Sequence, residues 1–304
     1  MTSIRLFWRE YQGSVLAVAS AACMAGTFIV TKLGLQGSSQ MVFGVVWYAA
    51  AFVCAWTYNR ARGLPPFSHQ LRRFGLRIVL VAAFNCVSIL AFYQQMRLAE
   101  PSTVGFLSVW GTIVTLAIGM LILGERLGLR EWMGVMLAIG GIFALTWRGG
   151  PTIWLVVLLA LADTTSYSIS NVIAKSAVAD VHPASLVGLR ALFTGSFVGL
   201  YGMATADWQV PAGFSLFYAA AGGFLGPFLS VMLLYHAYRR LPISRASVIT
   251  AAQPLFVVLY SWLFLCTLPS WQEWLGGLLT IAGLLTLLNR DTAMTAATVP
   301  EAPS

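Results

Sequence analysis

Asp163 lies in the middle of a long apolar segment, residues 152–175, about eleven residues from either end. At about 1.5 Å per helical residue, its carboxylate would lie roughly 16 Å from each face of a hydrocarbon layer about 30 Å thick. An acid at that depth is costly and normally faces a bundle interior or a water-filled cavity. Tyr167, Ser170 and Asn171 follow at i+4, i+7 and i+8, so the four side chains form one polar stripe on one helix face.

This stripe predicts a binding or coupling site within the membrane. Asp163 could be the counter-charge for a cationic or amino substrate, or the group that exchanges a proton during transport. A third alternative is a structural salt bridge to Arg190, which lies about six residues from the cytoplasmic end of the next predicted helix. We treat Asp163, Tyr167, Asn171 and Arg190 as candidate substrate-binding residues.

Polar side chains also mark the third and eighth predicted helices. Asn85, Tyr93 and Gln94 lie on the third, and Tyr235 and His236 on the eighth. Amides and phenols on facing helices could line a central pocket with donors and acceptors. The alternative is hydrogen bonding between helices and, for His236, a position at the membrane interface.

Two further features could contribute to a pocket. Trp110, together with Trp47 and Tyr48, lies within or near the middle of predicted spans and could enclose an apolar substrate, or pack against helices or lipid. Gln253-Pro254 interrupts the ninth helix, where proline frees a backbone carbonyl for a ligand or water, or only provides a kink for packing.

Composition identifies the class of protein. Of 304 residues, 59% are hydrophobic and 9% are charged, and the mean hydropathy is +0.80. A soluble domain carries about a quarter charged residues, so this chain is predicted to be an all-α polytopic membrane protein. The net charge of +8 is scattered at helix ends, which does not suggest nucleic acid.

The sequence offers no motif for catalysis or for a bound cofactor. The four cysteines lie in apolar segments without CxxC spacing, so neither a disulfide nor a metal site is expected. Metalloprotease, hydrolase and phosphate-loop signatures are also missing. We therefore predict a protein that is not an enzyme and uses no cofactor.

Apolar stretches of membrane-spanning length predict ten transmembrane helices. Their ranges are about 14–32, 40–58, 74–96, 101–123, 130–147, 152–175, 184–204, 213–238, 244–266 and 271–289. With the N-terminus placed inside, fourteen of the 18 Lys and Arg residues fall on cytoplasmic ends, and Lys32, Arg97 and Arg148 fall outside. This bias predicts that both termini are cytoplasmic. Lys32 and Lys175 are expected to snorkel to opposite faces or to act as gate charges.

The chain also repeats itself at an offset of 142 residues. The segment 92–97 corresponds to 234–239, Ser88 to Ser230, and Glu131-Trp132 to Glu273-Trp274. Lys32 and Lys175 are separated by 143. Because each repeat holds five spans, an odd number, the second repeat must be inverted relative to the first. Inverted repeats around a central site are a transporter architecture.

These boundaries divide the chain into four parts. They are a cytoplasmic N-terminus (1–13), two inverted five-helix repeats (14–147 and 152–289) and a disordered cytoplasmic tail (290–304).

Several motifs resemble one known family. They are Gly124-Glu125-Arg126-Leu127, Glu131-Trp132-Met133-Gly134, Lys32-Leu33-Gly34-Leu35, Leu241-Pro242-Ile243-Ser244 and Gln253-Pro254. Together they resemble an EamA-type repeat of the drug/metabolite transporter superfamily, present twice. The resemblance implies ten helices in two inverted repeats and export of small metabolites, often amino acids or amphipathic compounds.

We therefore predict a secondary transporter that exports a small organic metabolite, such as an amino acid or a related amphipathic compound, across the cell inner membrane. It would work by alternating access, with proton coupling as one alternative, and as a monomer or homodimer in the lipid bilayer. The rival hypotheses are an uncoupled channel-like facilitator and a membrane sensor or integral membrane enzyme.

Overall fold

A computed structural model describes residues 2–123, 133, 136–137, 140–141, 151–206, 208–209, 211–271, 273–279 and 281–282. Every regular element in these ranges is a helix, which confirms the all-α class. The fifth predicted span lies largely outside the described residues, as do the motif Gly124-Glu125-Arg126-Leu127 and the tail 290–304.

The described part of the first repeat contains α1 (Thr2–Leu35), α2 (Gln40–Ala61), α3 (Phe67–Leu98), α4 (Pro101–Ser108) and α5 (Trp110–Leu123). The second repeat begins with α6 (Pro151–Val178), α7 (Pro183–Thr205) and α8 (Ser215–Gly223), and then a π-helical segment (Phe224–Ser230) runs into α9 (Val231–Tyr238). It continues with α10 (Ile243–Thr250), α11 (Gln253–Tyr260) and a second π-helical segment (Ser261–Leu265). Within the tenth predicted span, residues 271, 273–279 and 281–282 are helical.

Six of the described helical stretches are long and apolar enough to cross a membrane: 11–35, 40–61, 67–98, 152–178, 183–205 and 215–238. Large apolar side chains such as Leu76, Val87, Leu158 and Leu200 are exposed on their outer faces. In a bilayer these side chains face lipid, so the chain is a multi-pass membrane protein.

The helix starts display the repeat at the level of single hydrogen bonds. Ser39 caps α2 by accepting from the backbone N–H of Val42 at 3.3 Å. His182, 143 residues later, caps α7 by accepting from the backbone N–H of Ala184 at 3.2 Å. Each cap satisfies a donor that the first helical turn leaves unpaired, and so sets the start of the crossing.

The packing of the crossings is also symmetric between the repeats. Helix α3 packs along α6, whereas α1 packs along the stretch from α8 to α9, and α2 packs along α7. When the two repeats are exchanged, the pair α3 and α6 becomes the pair of α8–α9 and α1, and the pair α2 and α7 is converted into itself. An internal two-fold relation requires this pattern. The centre of the molecule is therefore built from both repeats.

Two crossings are broken at equivalent positions. The fourth is interrupted at Val109, between α4 and α5, and the ninth at Ala251 and Ala252, between α10 and α11. Val109 and Ala251 are 142 residues apart. Both breaks lie beside the central cavity, where irregular backbone inside a membrane protein is tolerated.

Candidate functional site

A cavity of about 160 Å³ lies between the two repeats. Side chains from the first four crossings and from the sixth to the ninth line it, and its wall includes hydroxyl, amide, carboxylate and guanidinium groups. A single water needs only about 10–15 Å³, so the cavity has room for a small organic solute.

Asp163 contributes the carboxylate of this cavity from the middle of α6. Ser88 on α3 donates a hydrogen bond to its Oδ1 at 2.6 Å, and the Gln95 amide donates to its Oδ2 at 3.1 Å. Both donors are neutral. Among the described residues the carboxylate therefore has neutral hydrogen-bond partners, which hold it along the seam where α3 packs on α6.

Arg190 contributes the guanidinium from α7 and is 2% exposed. Its Nη1 donates to the Tyr235 hydroxyl at 2.8 Å, and its Nη2 donates to Oδ1 of Asn85. The Asn85 amide in turn donates to the Tyr48 hydroxyl at 2.7 Å. The guanidinium also lies over the Tyr167 ring, 5.4 Å from its centroid. One cation thus joins five crossings through neutral groups.

Asp163 and Arg190 therefore have separate partners. The ion pair recorded among the described residues joins Lys32 and Glu100 at 3.3 Å, and neither charged side chain of the cavity belongs to it. The structure does not form the direct salt bridge considered from the sequence, because Asp163 is engaged by α3 and Arg190 by Asn85 and Tyr235.

Four polar atoms of cavity-lining residues are buried and, within the described residues, have no hydrogen-bond partner. They are the Tyr167 hydroxyl, Oδ1 of Asn171, Nε of Arg190 and Nε1 of Trp47. A buried polar group without a partner costs roughly 1–3 kcal/mol. Two of the atoms come from the predicted stripe, and the other two from Arg190 and Trp47, so a polar solute in the cavity could recover this cost.

The two charges are particular to the second repeat. The residue 143 positions before Asp163 is Ser20, and the residue 143 positions before Arg190 is Trp47. Both counterparts also line the cavity, and both are neutral. The scaffold is thus symmetric, but the electrostatics of the cavity are not.

Of the candidate residues from the sequence, Asp163, Tyr167, Asn171, Arg190, Asn85 and Gln253 line the cavity. The other five do not belong to its lining: Tyr93, Gln94, Trp110, Tyr235 and His236. Tyr235 is nevertheless part of the site, since it accepts a hydrogen bond from Arg190.

The remaining four candidates have packing or helix-end contacts. Tyr93 is fully buried, with its ring centroid 6.0 Å from that of Trp47. Gln94 accepts a hydrogen bond from the Gln40 amide at 2.5 Å. His236 packs on His182, with ring centroids 5.8 Å apart. Trp110, the first residue of α5, is half-buried.

Lys32 and Lys175 lie at opposite ends of the molecule, and each is bonded within its own repeat. Lys32 Nζ donates to the carbonyl of Ala99 at 2.8 Å, and Lys175 Nζ donates to the carbonyl of Leu241 at 2.9 Å. The two carbonyls are 142 residues apart, so the contacts are equivalent. Each lysine ties the end of one crossing to the loop after the third crossing of the same repeat.

Sequence reasoning missed two groups that the structure brings to the site. Ser88 and Gln95 hold the Asp163 carboxylate, although the sequence singled out Ser88 only as a repeat match. Their signal was their spacing: Asn85, Ser88, Phe92 and Gln95 recur at helical intervals and share one face of α3. The break at Val109 was also missed. In the ninth crossing Pro254 marks the break, but the matching position in the fourth crossing is a threonine, Thr112.

A helical membrane protein with an internal two-fold and a central, partly charged cavity defines a transporter architecture. The sequence profile of the EamA-like transporter family matches residues 12–147 and, a second time, residues 154–289. The chain belongs to the EamA-like transporter family, and is a membrane transporter of the drug/metabolite type.

No curated protein matches the sequence significantly. A solved crystal structure matches the fold with a TM-score of 0.68, over 93% of this chain and 99% of the solved chain. The two chains are 16% identical, so the likeness extends to the fold alone.

Proposed function

We propose that this chain is a secondary transporter that exports a small organic solute across the cytoplasmic membrane by alternating access. Amino acids and related amphipathic compounds are the leading class. The observation that supports this proposal is the cavity between the repeats, which carries Asp163 and Arg190 on different crossings, each hydrogen-bonded to neutral groups within the part of the chain that the structure describes. An opposite pair of unneutralised charges suits a small solute with complementary charges.

Alternating access would come from movement of the two repeats about this cavity. Each repeat is internally tied by its lysine, Lys32 or Lys175, which favours movement of the repeats as units over movement within them. Proton coupling would place the exchanged proton on Asp163, the carboxylate of the cavity. Both termini would be cytoplasmic, as the distribution of Lys and Arg predicts.

Reconstitution into liposomes tests the proposal. Vesicles are loaded with radiolabelled neutral L-amino acids, and efflux is followed with and without an imposed pH gradient. Efflux faster than from protein-free liposomes supports transport. Accumulation of the amino acid against its own concentration gradient, when a pH gradient is imposed, supports proton coupling. Efflux that stops when the solute concentrations on the two sides are equal, with or without a pH gradient, would indicate a channel-like facilitator. No flux of any solute would contradict the transporter proposal.

A further inference from the structure

Arg190 is a buried cation to which the described part of the protein offers no anionic partner. Asn85 and Tyr235 accept its hydrogen bonds, and the Tyr167 ring lies beneath it. Each of these partners is neutral. Buried arginines are normally paired with an acid, because an uncompensated charge away from water is costly. The counter-charge is therefore expected from outside the protein.

The guanidinium has the free donors that such a partner needs. A guanidinium carries five N–H groups, of which the structure engages two, and Nε has no partner. A planar fork of this kind binds a carboxylate through two parallel hydrogen bonds. The Tyr167 hydroxyl, buried and also without a partner among the described residues, supplies a further donor on the same cavity wall.

Packing alone does not require a positive charge at this position. In the first repeat, Trp47 occupies the equivalent site and lies beside Tyr93, as Arg190 lies beside Tyr235. A neutral indole thus fills the matching space between crossings and also faces the cavity. The cation in the second repeat consequently has a role beyond filling space.

We infer that Arg190 is the receptor for an anionic group of the transported solute, a carboxylate or an oxyanion of similar shape, with the Tyr167 hydroxyl as a second donor. This inference rests on the proposed function, because it names the part of the solute that the cavity recognises. Oδ1 of Asn171, an acceptor on the same wall, suits a hydrogen-bond donor elsewhere on that solute.

The test uses the purified full-length protein in detergent and follows its melting temperature. Potassium acetate serves as the carboxylate probe, acetamide as its uncharged analogue, and potassium chloride as the control for ionic strength and for an inorganic anion. Acetate is expected to raise the melting temperature saturably, with chloride at least about tenfold weaker and acetamide without effect.

Three variants connect this response to Arg190. Arg190→Gln should abolish the acetate response, and Arg190→Lys, which retains charge but not the fork, should weaken it by roughly tenfold. Asn85→Asp supplies an internal carboxylate to the guanidinium, so it should melt at a higher temperature than the wild type and lose the acetate response. Arg60→Gln removes an exposed charge at the end of α2 and should respond to acetate as the wild type does.

Several results would overturn the inference: no response to acetate in the wild type, an equal response in Arg190→Gln or Asn85→Asp, or an equal response to chloride. The last would assign the site to an inorganic anion. Liposome flux of neutral L-amino acids separates the two proposals. Flux without an acetate response leaves the transporter proposal standing and removes the receptor. An acetate response without flux of these amino acids retains the anion site and excludes neutral L-amino acids as the transported class.

Discussion

Ser88 on α3 donates a 2.6 Å hydrogen bond to Asp163 on α6, and the equivalent pair in the other half is Ser230 and Ser20. The hydroxyl oxygens of that second pair are 3.1 Å apart. The two bonds join equivalent seams, α3 with α6 and the π-helical segment with α1. In one seam each serine hydroxyl donates to the backbone carbonyl of the other serine, Ser20 to Ser230 at 2.8 Å and Ser230 to Ser20 at 2.9 Å, whereas the other seam contains a carboxylate whose charge can change. This difference makes Asp163 the first residue to test.

Asp163→Asn should insert and fold yet lose concentrative transport. Asparagine retains the shape and can still accept the bond from Ser88, so the stability loss should be close to that of one bond between membrane helices, about 0.6 kcal/mol. The measurement is uphill transport in liposomes, together with the melting temperature in detergent. Asp180→Asn, which changes an exposed acid outside the cavity lining, is the matched control.

The same variant decides between the coupling and salt-bridge interpretations. Because Asp163 and Arg190 have different partners, Arg190→Gln added to Asp163→Asn should restore neither stability nor transport. Restoration by the double variant would show that the two charges are paired in the working protein. Normal uphill transport by Asp163→Asn alone would show that the site lies elsewhere.

Gly223→Ala should destabilise the protein by about 1–3 kcal/mol. A Cβ at this position would meet the backbone carbonyl oxygen of Trp47, closer than real Cβ atoms approach other atoms, and backbone cannot move aside as a side chain can. Gly199→Ala is the control, since its Cβ would lie 3.6 Å from Val45, an ordinary contact. Fluorescence-detected size-exclusion chromatography after heating measures both. Similar melting temperatures for the two variants would disprove the close approach of α2 and the end of α8.

The predicted orientation can be tested by cysteine labelling in a cysteine-free background. Gln36 and Gln209 are exposed, and they lie at the same end of the molecule because the backbone N–H of Ala212 donates to the carbonyl of Gly37 at 2.7 Å. Cysteines at both positions should react with an impermeant reagent in intact cells. A cysteine at exposed Ser68 should react only after permeabilisation. Labelling of the cysteine at position 68 in intact cells would show that the orientation is the opposite of the predicted one.

The His182 cap should make stability depend on pH. Burial and then the nearby charge of Arg239 lower the pKa of His182 below its usual value of 6.5, and its neutral Nδ1 accepts from Ala184. A protonated imidazole cannot accept, so the stabilisation is complete above about pH 6.5 and declines as the pH falls below it. His182→Asn retains a cap that does not titrate. When the pH is lowered from about 8 to about 5.5, the melting temperature of the wild type should fall further than that of this variant. Equal falls in the two proteins would contradict the role of the cap.

Some properties could be predicted from the sequence with good reason. The excess of apolar residues determines a helical membrane protein, because backbone groups in lipid must be satisfied within each segment. The offset of 142 residues indicated the two repeats, which the family match confirms. Asp163, Tyr167 and Asn171 could be placed on one face because helical spacing alone fixes their relative direction.

The direction in which each face points was decided by the tertiary structure. In a soluble helix, an apolar stripe marks the inner side, but lipid and protein interior are both apolar, so a membrane helix carries little such signal. For that reason Asn85 and Tyr93, on one helix, could not be separated from the sequence, although only Asn85 lines the cavity. For the same reason the hydrogen-bond partners of Asp163 and Arg190 could not be predicted from the sequence, because they depend on how α3, α6, α7 and α9 pack together.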